Sequence, residues 1–183
     1  MGLVQKEVAM INRITKTMIC LLMCSALIVG CSSSTPATVT PQPTAVSTKN
    51  VLQPYDEKAN AEQDIAAGLA LAKADHKYVL LDFGGNWCPD CIVLAKFYET
   101  EPLKSLVEKN YHIVTVDIGQ FDKNLSISAR YGDPIKNGVP AVVVLDPSGK
   151  MIGSTGNGAL ESARDMTVQQ VFDILKNWTP SQN

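Results

Sequence analysis

The sequence YVLLDFGGNWCPDC, at residues 78–91, decides the fold of this chain. Its first part, Tyr78–Phe83, is a run of aliphatic and aromatic residues, and such a run predicts a buried β-strand. The Gly-Gly-Asn sequence at 84–86 is a turn signal, and the residues after it have the pattern of a helix start. Cys88 and Cys91 are therefore predicted to lie at the N-terminus of a helix.

This position gives the two cysteines complementary roles. Cysteines three residues apart share a helix face and can form a disulfide when the first lies in the first turn. Free N–H groups and the positive end of the helix dipole favour a thiolate, so we expect the pKa of an exposed Cys88 to be lowered. Cys88 is the candidate nucleophile, and Cys91 is the candidate resolving thiol.

The two residues between the cysteines are expected to adjust this chemistry. Pro89 lacks an N–H and has a fixed φ, so it suits the first turn of a helix. The Asp90 carboxylate lies beside Cys88 and opposes a thiolate there. Asp90 is therefore expected to tune the pair toward a reductant rather than a strong oxidant.

The cysteine pair has other interpretations, namely half of a zinc site, an inert structural disulfide, or coincidence. Zinc would need two more ligands, but no second cysteine pair follows residue 31, and His76 and His112 stand alone. The strand-to-helix context favours redox chemistry over the other two.

Periodicity and turn signals predict the elements around the motif. The first helix is predicted at Asp56–Asp75, with Asp56 or Asn60 as its cap. The second is predicted at about Pro89–Tyr98, and Pro102 should separate it from a third at Leu103–Lys109. A short helix with Leu125, Ile127 and Ala129 is predicted within Gly119–Gly132, and a last helix is predicted to begin after a Thr167 cap. Strands are predicted at Tyr78–Phe83, Tyr111–Ile118, Ala141–Leu145 and Met151–Gly153. This order fits a mixed sheet between two layers of helices.

The sequence Trp-Cys-Pro-Asp-Cys at 87–91 resembles small thioredoxin-related proteins that carry this variant of the thioredoxin Trp-Cys-Gly-Pro-Cys motif. Asp82, six residues before Cys88, matches the buried acid of thioredoxins, and Gly-Val-Pro at 138–140 matches their cis-proline loop. The resemblance extends from about Lys77 to Trp178. It implies an α/β thioredoxin fold, in which a central mixed β-sheet is flanked by helices on both faces.

The resemblance also implies roles for individual residues. Asp82 would be the buried acid that helps to deprotonate Cys91 when a mixed disulfide is resolved. A cis-Pro140 would place the backbone groups of Val139 beside Cys88, where an extended substrate can bind as an added strand. The alternatives are a carboxylate that merely ends a strand and an ordinary turn proline.

Trp87 is expected to be partly exposed beside the nucleophile, where it offers a substrate an apolar platform together with Pro89. The alternative for Trp87 is simple packing. Pro89 and Asp90 replace the Gly-Pro of ordinary thioredoxins, which leaves recognition by a standard thioredoxin reductase open.

The N-terminal part of the chain predicts export. Three basic residues precede the apolar run Thr17–Val29, which is too short for a comfortable membrane span and is typical of a secretory signal peptide. Ile-Val-Gly-Cys at 28–31 resembles a bacterial lipobox. We therefore expect removal of residues 1–30, with Cys20 and Cys24 in them, and lipidation of Cys31. A plain signal peptide and an uncleaved anchor are the alternatives.

Composition divides the rest of the chain in two. Residues 31–54 are rich in Ser, Thr, Pro and Ala, which predicts a disordered tether. Residues 55–183 are long enough for one ordinary domain, which the resemblance implies is thioredoxin-like. Without residues 1–30 the chain keeps 13 basic and 17 acidic residues, a net charge of −4. This balance provides no basic patch for nucleic acid.

These features predict a membrane-anchored thiol:disulfide oxidoreductase of the bacterial periplasm, a monomer tethered to the inner or outer membrane. Its redox group would be the Cys88–Cys91 disulfide, with no metal or other cofactor. The expected partners are disulfide-bearing proteins or small thiols, and a membrane electron donor that re-reduces the pair. One alternative is a non-catalytic module that binds clients in the same groove. Copper delivery is weaker, because no His or Met cluster accompanies the dithiol.

Overall fold

The computed structural model describes residues 53–181. The predicted signal peptide, the lipidation site at Cys31 and the tether up to residue 52 lie outside these residues, so they stay predictions. Within the described residues, no helix combines the length and the apolar character needed to span a bilayer.

Helices and strands of the described residues follow one another in the predicted order. The α-helices are α1 (Ala61–Asp75), α2 (Pro89–Tyr98), α3 (Leu103–Asn110), α4 (Leu125–Arg130) and α5 (Val168–Lys176). The strands are β1 (Tyr78–Gly84), β2 (Tyr111–Asp117), β3 (Ala141–Leu145) and β4 (Met151–Ser154). Short 3₁₀ turns lie at Pro134–Asn137 and Ala163–Asp165.

The strands form a mixed sheet in the order β2-β1-β3-β4. β1 runs parallel to β2 and antiparallel to β3, and β3 runs antiparallel to β4. Every residue of β3 is buried, as its uninterrupted apolar sequence predicts for a central strand. The predicted mixed sheet is confirmed.

Side chains of β1 alternate between two hydrophobic cores, one on each face of the sheet. Leu81 and Phe83 belong to the core that also contains buried residues of α1 and α4. Leu80 belongs to the core that contains buried residues of α2, α3 and α5. The fold is thus the predicted one, with helices on both faces of the sheet.

The first helix begins later than the sequence predicts. α1 starts at Ala61, because the Asn60 side chain caps it by accepting a hydrogen bond from the N–H of Gln63 at 3.2 Å. Asp56 instead accepts a bond from the N–H of Lys58 at 2.9 Å in a turn before the helix. The residues before Asn60 are therefore left outside the helix and run beside the cysteine loop.

The short helix α4 lies within the predicted segment and turns only part of its surface to the core. Ile127 is buried, but Leu125 and Ala129 are exposed. Ser128 is buried in their place, and its hydroxyl donates to the Asp133 carboxylate at 2.8 Å. A six-residue helix turns only a narrow face to the core. Because Leu125, Ile127 and Ala129 are spaced by two residues, they do not share one face of a helix and cannot all be covered.

Two predicted helix boundaries are confirmed. Pro102 separates α2 from α3. Thr167 caps α5 through a reciprocal pair of hydrogen bonds with Gln170.

Candidate active site

The cysteine pair lies where the sequence predicts it. Cys88 is the N-cap of α2, and Pro89 occupies the first helical position. Cys88 and Cys91 form a disulfide with their Cα atoms 5.3 Å apart. The N–H of Cys91 points to Cys88 Sγ at 3.2 Å. This N–H and the helix dipole favour negative charge on that sulfur once the disulfide is reduced.

Cys88 is less accessible than predicted. The residue is only 4% exposed, and Cys91 is fully buried, so the expectation of an exposed first cysteine is wrong. The reason is the loop opposite, where the Val139–Pro140 peptide is cis and the carbonyl oxygen of Val139 lies 3.6 Å from Cys88 Sγ. The backbone of Val139 therefore lies beside the sulfur with which a reaction partner would have to react.

Two exposed aromatic rings lie together at Trp87, the residue before Cys88. Trp87 is 43% exposed, in agreement with its predicted partial exposure, and its indole N–H donates to the carbonyl of Gly119. Phe121 is 45% exposed, and its ring centroid lies 5.8 Å from that of Trp87. Phe121 has a φ of +64°, a conformation that bulky residues rarely adopt. The loop after β2 thus presents Phe121 to solvent beside Trp87.

Asp82 is fully buried on β1, as the resemblance implied. The Tyr55 hydroxyl donates a hydrogen bond to Asp82 Oδ1 at 3.0 Å. Burial, reinforced by the charge of Asp82, raises the pKa of Tyr55 well above its ordinary value. Tyr55 therefore stays protonated and acts as a donor at neutral pH. The sequence analysis did not identify this residue.

Tyr55 is anchored to the active-site loop through its backbone. Its N–H donates to Asn86 Oδ1 at 3.1 Å, and Asn86 Nδ2 donates back to the carbonyl of Tyr55 at 2.8 Å. The turn residue before Trp87 therefore holds the segment before α1 against the cysteine loop. A turn signal alone could not indicate this second role of Asn86.

The charge of Asp90 is balanced by a residue from a distant part of the chain. Asp90 Oδ1 accepts a bond from the backbone N–H of Arg164 at 2.8 Å and lies 3.2 Å from its guanidinium Nε. Asp90 is 7% exposed. The predicted opposition between Asp90 and Cys88 is therefore moderated by Arg164, which the sequence analysis did not single out.

Other polar residues that the sequence analysis considered lie elsewhere. His76 ends α1, and the His112 ring lies 2.9 Å from the Asp75 carboxylate. Across residues 53–181, no group of three or more His, Cys, Asp or Glu side chains is placed to hold a metal ion.

A mixed sheet, a cysteine pair at the start of α2 and a cis-proline opposite define the thioredoxin-like class of disulfide-forming proteins. A family model described as thioredoxin-like matches residues 60–147. The chain is also 43% identical to the disulphide isomerase from Xylella fastidiosa Temecula1, with 68% of this chain and 95% of that chain covered and a TM-score of 0.66. The chain belongs to the thioredoxin-like family.

More distant likenesses include a protein described as DsbH oxidoreductase, which is 29% identical over 49% of this chain and 67% of its own, with a TM-score of 0.39. A mutant thioredoxin from Halobacterium salinarum NRC-1 is 20% identical over 68% of this chain and 89% of its own, with a TM-score of 0.42. No curated protein sequence matches the chain significantly.

Proposed function

We propose that this protein is an exported, lipid-anchored thiol:disulfide oxidoreductase that reduces disulfides of proteins or small molecules. The observation that carries the proposal is the Cys88–Cys91 disulfide at the N-terminus of α2, facing the cis-proline loop. Its 43% identical relative is described as a disulphide isomerase, a protein that also acts on disulfide bonds.

The first chemical step is attack by the Cys88 thiolate on one sulfur of a substrate disulfide. The substrate S–S bond breaks, a bond forms between Cys88 Sγ and the attacked sulfur, and the other sulfur leaves as a thiolate. The N–H of Cys91, 3.2 Å from Cys88 Sγ, and the start of α2 favour the attacking thiolate.

The second step releases the reduced substrate. Cys91 loses its proton to Asp82, through water, and the resulting thiolate attacks Cys88 Sγ. The mixed disulfide breaks, the Cys88–Cys91 disulfide forms, and the second substrate sulfur leaves as a thiolate. Two electrons pass to the substrate, whose two thiolates take up protons. An external dithiol or a membrane electron donor must then re-reduce the pair.

Substrate binding uses the surface around Cys88. The backbone of Val139, with Pro140 after it, offers hydrogen-bonding groups to an extended segment beside Cys88. Trp87 and Pro89 supply the apolar platform, and Phe121 enlarges it. Because Cys88 itself is nearly buried, an exposed disulfide in a flexible segment fits this site better than one in a rigid core.

Disulfide isomerisation is a second candidate, favoured by the description of the 43% identical relative. It shares the attack by Cys88 but ends differently, because another thiol of the substrate displaces Cys88 from the mixed disulfide. Cys91 then serves only to release substrates that fail to rearrange.

The decisive test compares insulin reduction by the full chain and its variants, with dithiothreitol as the electron source. Cys20, Cys24 and Cys31 are replaced by Ser in every protein, so that only the pair carries thiols. We expect catalysis by the parent chain and none by Cys88→Ser. Reduced Cys91→Ser, mixed with insulin after dithiothreitol has been removed, should accumulate a mixed disulfide. Full activity of Cys88→Ser would contradict the proposal and favour the client-binding alternative.

Refolding of scrambled ribonuclease separates the two catalytic candidates. An isomerase restores ribonuclease activity with Cys91→Ser nearly as well as with the parent chain, because isomerisation needs only Cys88. A reductase that lacks isomerase activity reduces insulin but leaves ribonuclease scrambled.

A further inference from the structure

We propose that Tyr55 is a positioning residue for the resolving step, whose hydroxyl keeps Asp82 in its carboxylate form next to Cys91. The inference rests on the proposed function, because it assigns Tyr55 to the second step of that reaction. Nothing local in the sequence indicates it, since Tyr55 lies 27 residues before Asp82.

The first observation is the hydrogen bond itself. The Tyr55 hydroxyl and Asp82 Oδ1 are 3.0 Å apart, and both residues are almost completely buried. A donor to a carboxylate favours its charged form, and such a bond is stronger where water is excluded. A general base must be ionised before it can accept a proton from Cys91. The hydroxyl therefore supports the state of Asp82 that the second step needs.

The second observation is the space that Gly84 leaves open. A Cβ at Gly84 would collide with the Tyr55 hydroxyl and would lie 2.8 Å from Cys91 Sγ. The hydroxyl and the sulfur thus border the same small gap. Because side chains alternate along β1, residue 84 faces the same side of the sheet as Asp82. The Tyr55 hydroxyl therefore neighbours both the Asp82 carboxylate and the Cys91 sulfur, and a glycine at residue 84 makes this approach possible.

The third observation is how firmly Tyr55 is held. Two backbone hydrogen bonds tie it to Asn86, within the loop that leads to Cys88. A phenylalanine ring would fill the same core, so packing alone does not require the hydroxyl. The structure thus separates a packing role of the ring from a chemical role of the oxygen.

Two other ionisable groups, Tyr98 and Asp117, interact electrostatically with Asp82 or Tyr55. Burial, and next the charge of Asp82, raises the pKa of Tyr98 well above its ordinary value, so Tyr98 stays neutral. Asp117 acts on Tyr55 electrostatically and is itself paired with Lys123 at 3.0 Å. Asp82 and Cys91 are the two groups between which the proposed proton transfer takes place, so the pH dependence of resolution is read on this step.

Loss of the hydroxyl should act on one step only. In Tyr55→Phe, Asp82 loses a donor to its charged form, so a higher pH is needed to ionise it. We expect the pH profile of resolution to move up by roughly one unit, which slows this step by up to about tenfold on the acid limb of the profile and changes it little at high pH. Attack by Cys88 should change by less than about twofold, since Tyr55 contacts Asp82 rather than Cys88.

The test follows the reaction of the reduced full chain with an aromatic disulfide, dithiobis(nitrobenzoate), in a stopped-flow instrument, again with Cys20, Cys24 and Cys31 replaced by Ser. Attack by Cys88 releases one coloured thiolate, and resolution by Cys91 releases the second. Cys91→Ser should show the first phase alone, which assigns the two phases. Both rates are then measured as a function of pH.

Tyr111→Phe is the matched control. Tyr111 is also buried, and its hydroxyl donates to the carbonyl of Leu175 at 2.7 Å, at the other end of the sheet. It should leave both phases unchanged. The proposal is overturned if the pH profile of the second-phase rate in Tyr55→Phe coincides with that of the parent chain. It is also overturned if that rate is lowered by the same factor at every pH, or if the profile of Tyr111→Phe shifts as much as that of Tyr55→Phe. Absence of the first phase in the parent chain would instead refute the proposed function, and the inference with it.

Discussion

Replacing Arg164 by Met should make the Cys88–Cys91 pair more reducing. The Arg164 guanidinium lies 3.2 Å from Asp90 Oδ1, and the Asp90 side chain is only 10% exposed. Methionine keeps most of the aliphatic length, and the backbone N–H of residue 164 can still bind Asp90. The variant therefore removes a positive charge and leaves an unbalanced carboxylate near Cys88, where it disfavours the thiolate of the reduced pair.

The magnitude follows from Coulomb's law. Side chains two positions apart on a helix do not face each other, so we take a separation of about 8 Å between the Asp90 carboxylate and Cys88 Sγ. At an effective dielectric constant of about 20, two unit charges then repel by roughly 2 kcal/mol. The Arg164 side chain is 58% exposed, and solvent screening should reduce the effect to about half. For a two-electron couple, about 1 kcal/mol is a shift of roughly 20 mV to more negative potential.

The assay equilibrates each protein with dithiothreitol buffers and counts thiols by alkylation, with Cys20, Cys24 and Cys31 replaced by Ser. Asp90→Asn should shift the potential in the opposite direction, and the double variant should lie close to the parent chain. Arg130→Met is the control, because Arg130 pairs with Glu62 at the surface. A potential of Arg164→Met that is unchanged, or more positive, would refute the electrostatic argument.

Three further predictions concern the platform, the packing and the anchor. Phe121→Ala should raise KM for a protein disulfide about threefold to tenfold, as expected for loss of one aromatic contact. The rate of its reaction with dithiobis(nitrobenzoate) should not change. An unchanged KM would exclude Phe121 from the platform. Gly84→Ala should lower the free energy of unfolding in urea by roughly 1–3 kcal/mol, because its methyl group would collide with the Tyr55 hydroxyl; an equally stable variant would contradict the described packing. Cys31→Ser should release the protein from the membrane fraction of a bacterial host, and persistent sedimentation with membranes would argue against a lipid anchor.

The residues nearest the cysteines could be predicted because their signals are local. The apolar run Tyr78–Phe83 defines β1, and the turn at 84–86 followed by Pro89 defines the start of α2. Asp82 is buried on β1, and the Val139–Pro140 peptide is cis, as the family resemblance implied. Patterns of two to six residues were sufficient for β1 and the start of α2, whereas the buried acid and the cis-proline were implied only by the resemblance.

The features of the site that sequence reasoning missed depend on contacts between distant parts of the chain. Tyr55 reaches Asp82 across 27 residues, and Arg164 reaches Asp90 across 74. A tyrosine after a proline-rich segment and an arginine in a loop carry no local signal of such partners. The burial of Cys88 was missed for the same reason, because the loop that covers it lies 51 residues away at Val139.

The most direct test of the account is the reduction potential of the Cys88–Cys91 pair in the parent chain, measured against dithiothreitol and glutathione buffers. A protein that reduces substrate disulfides should have a potential near that of thioredoxin, about −270 mV. A value near about −120 mV, as in a strong oxidant, would contradict the proposed direction of electron flow.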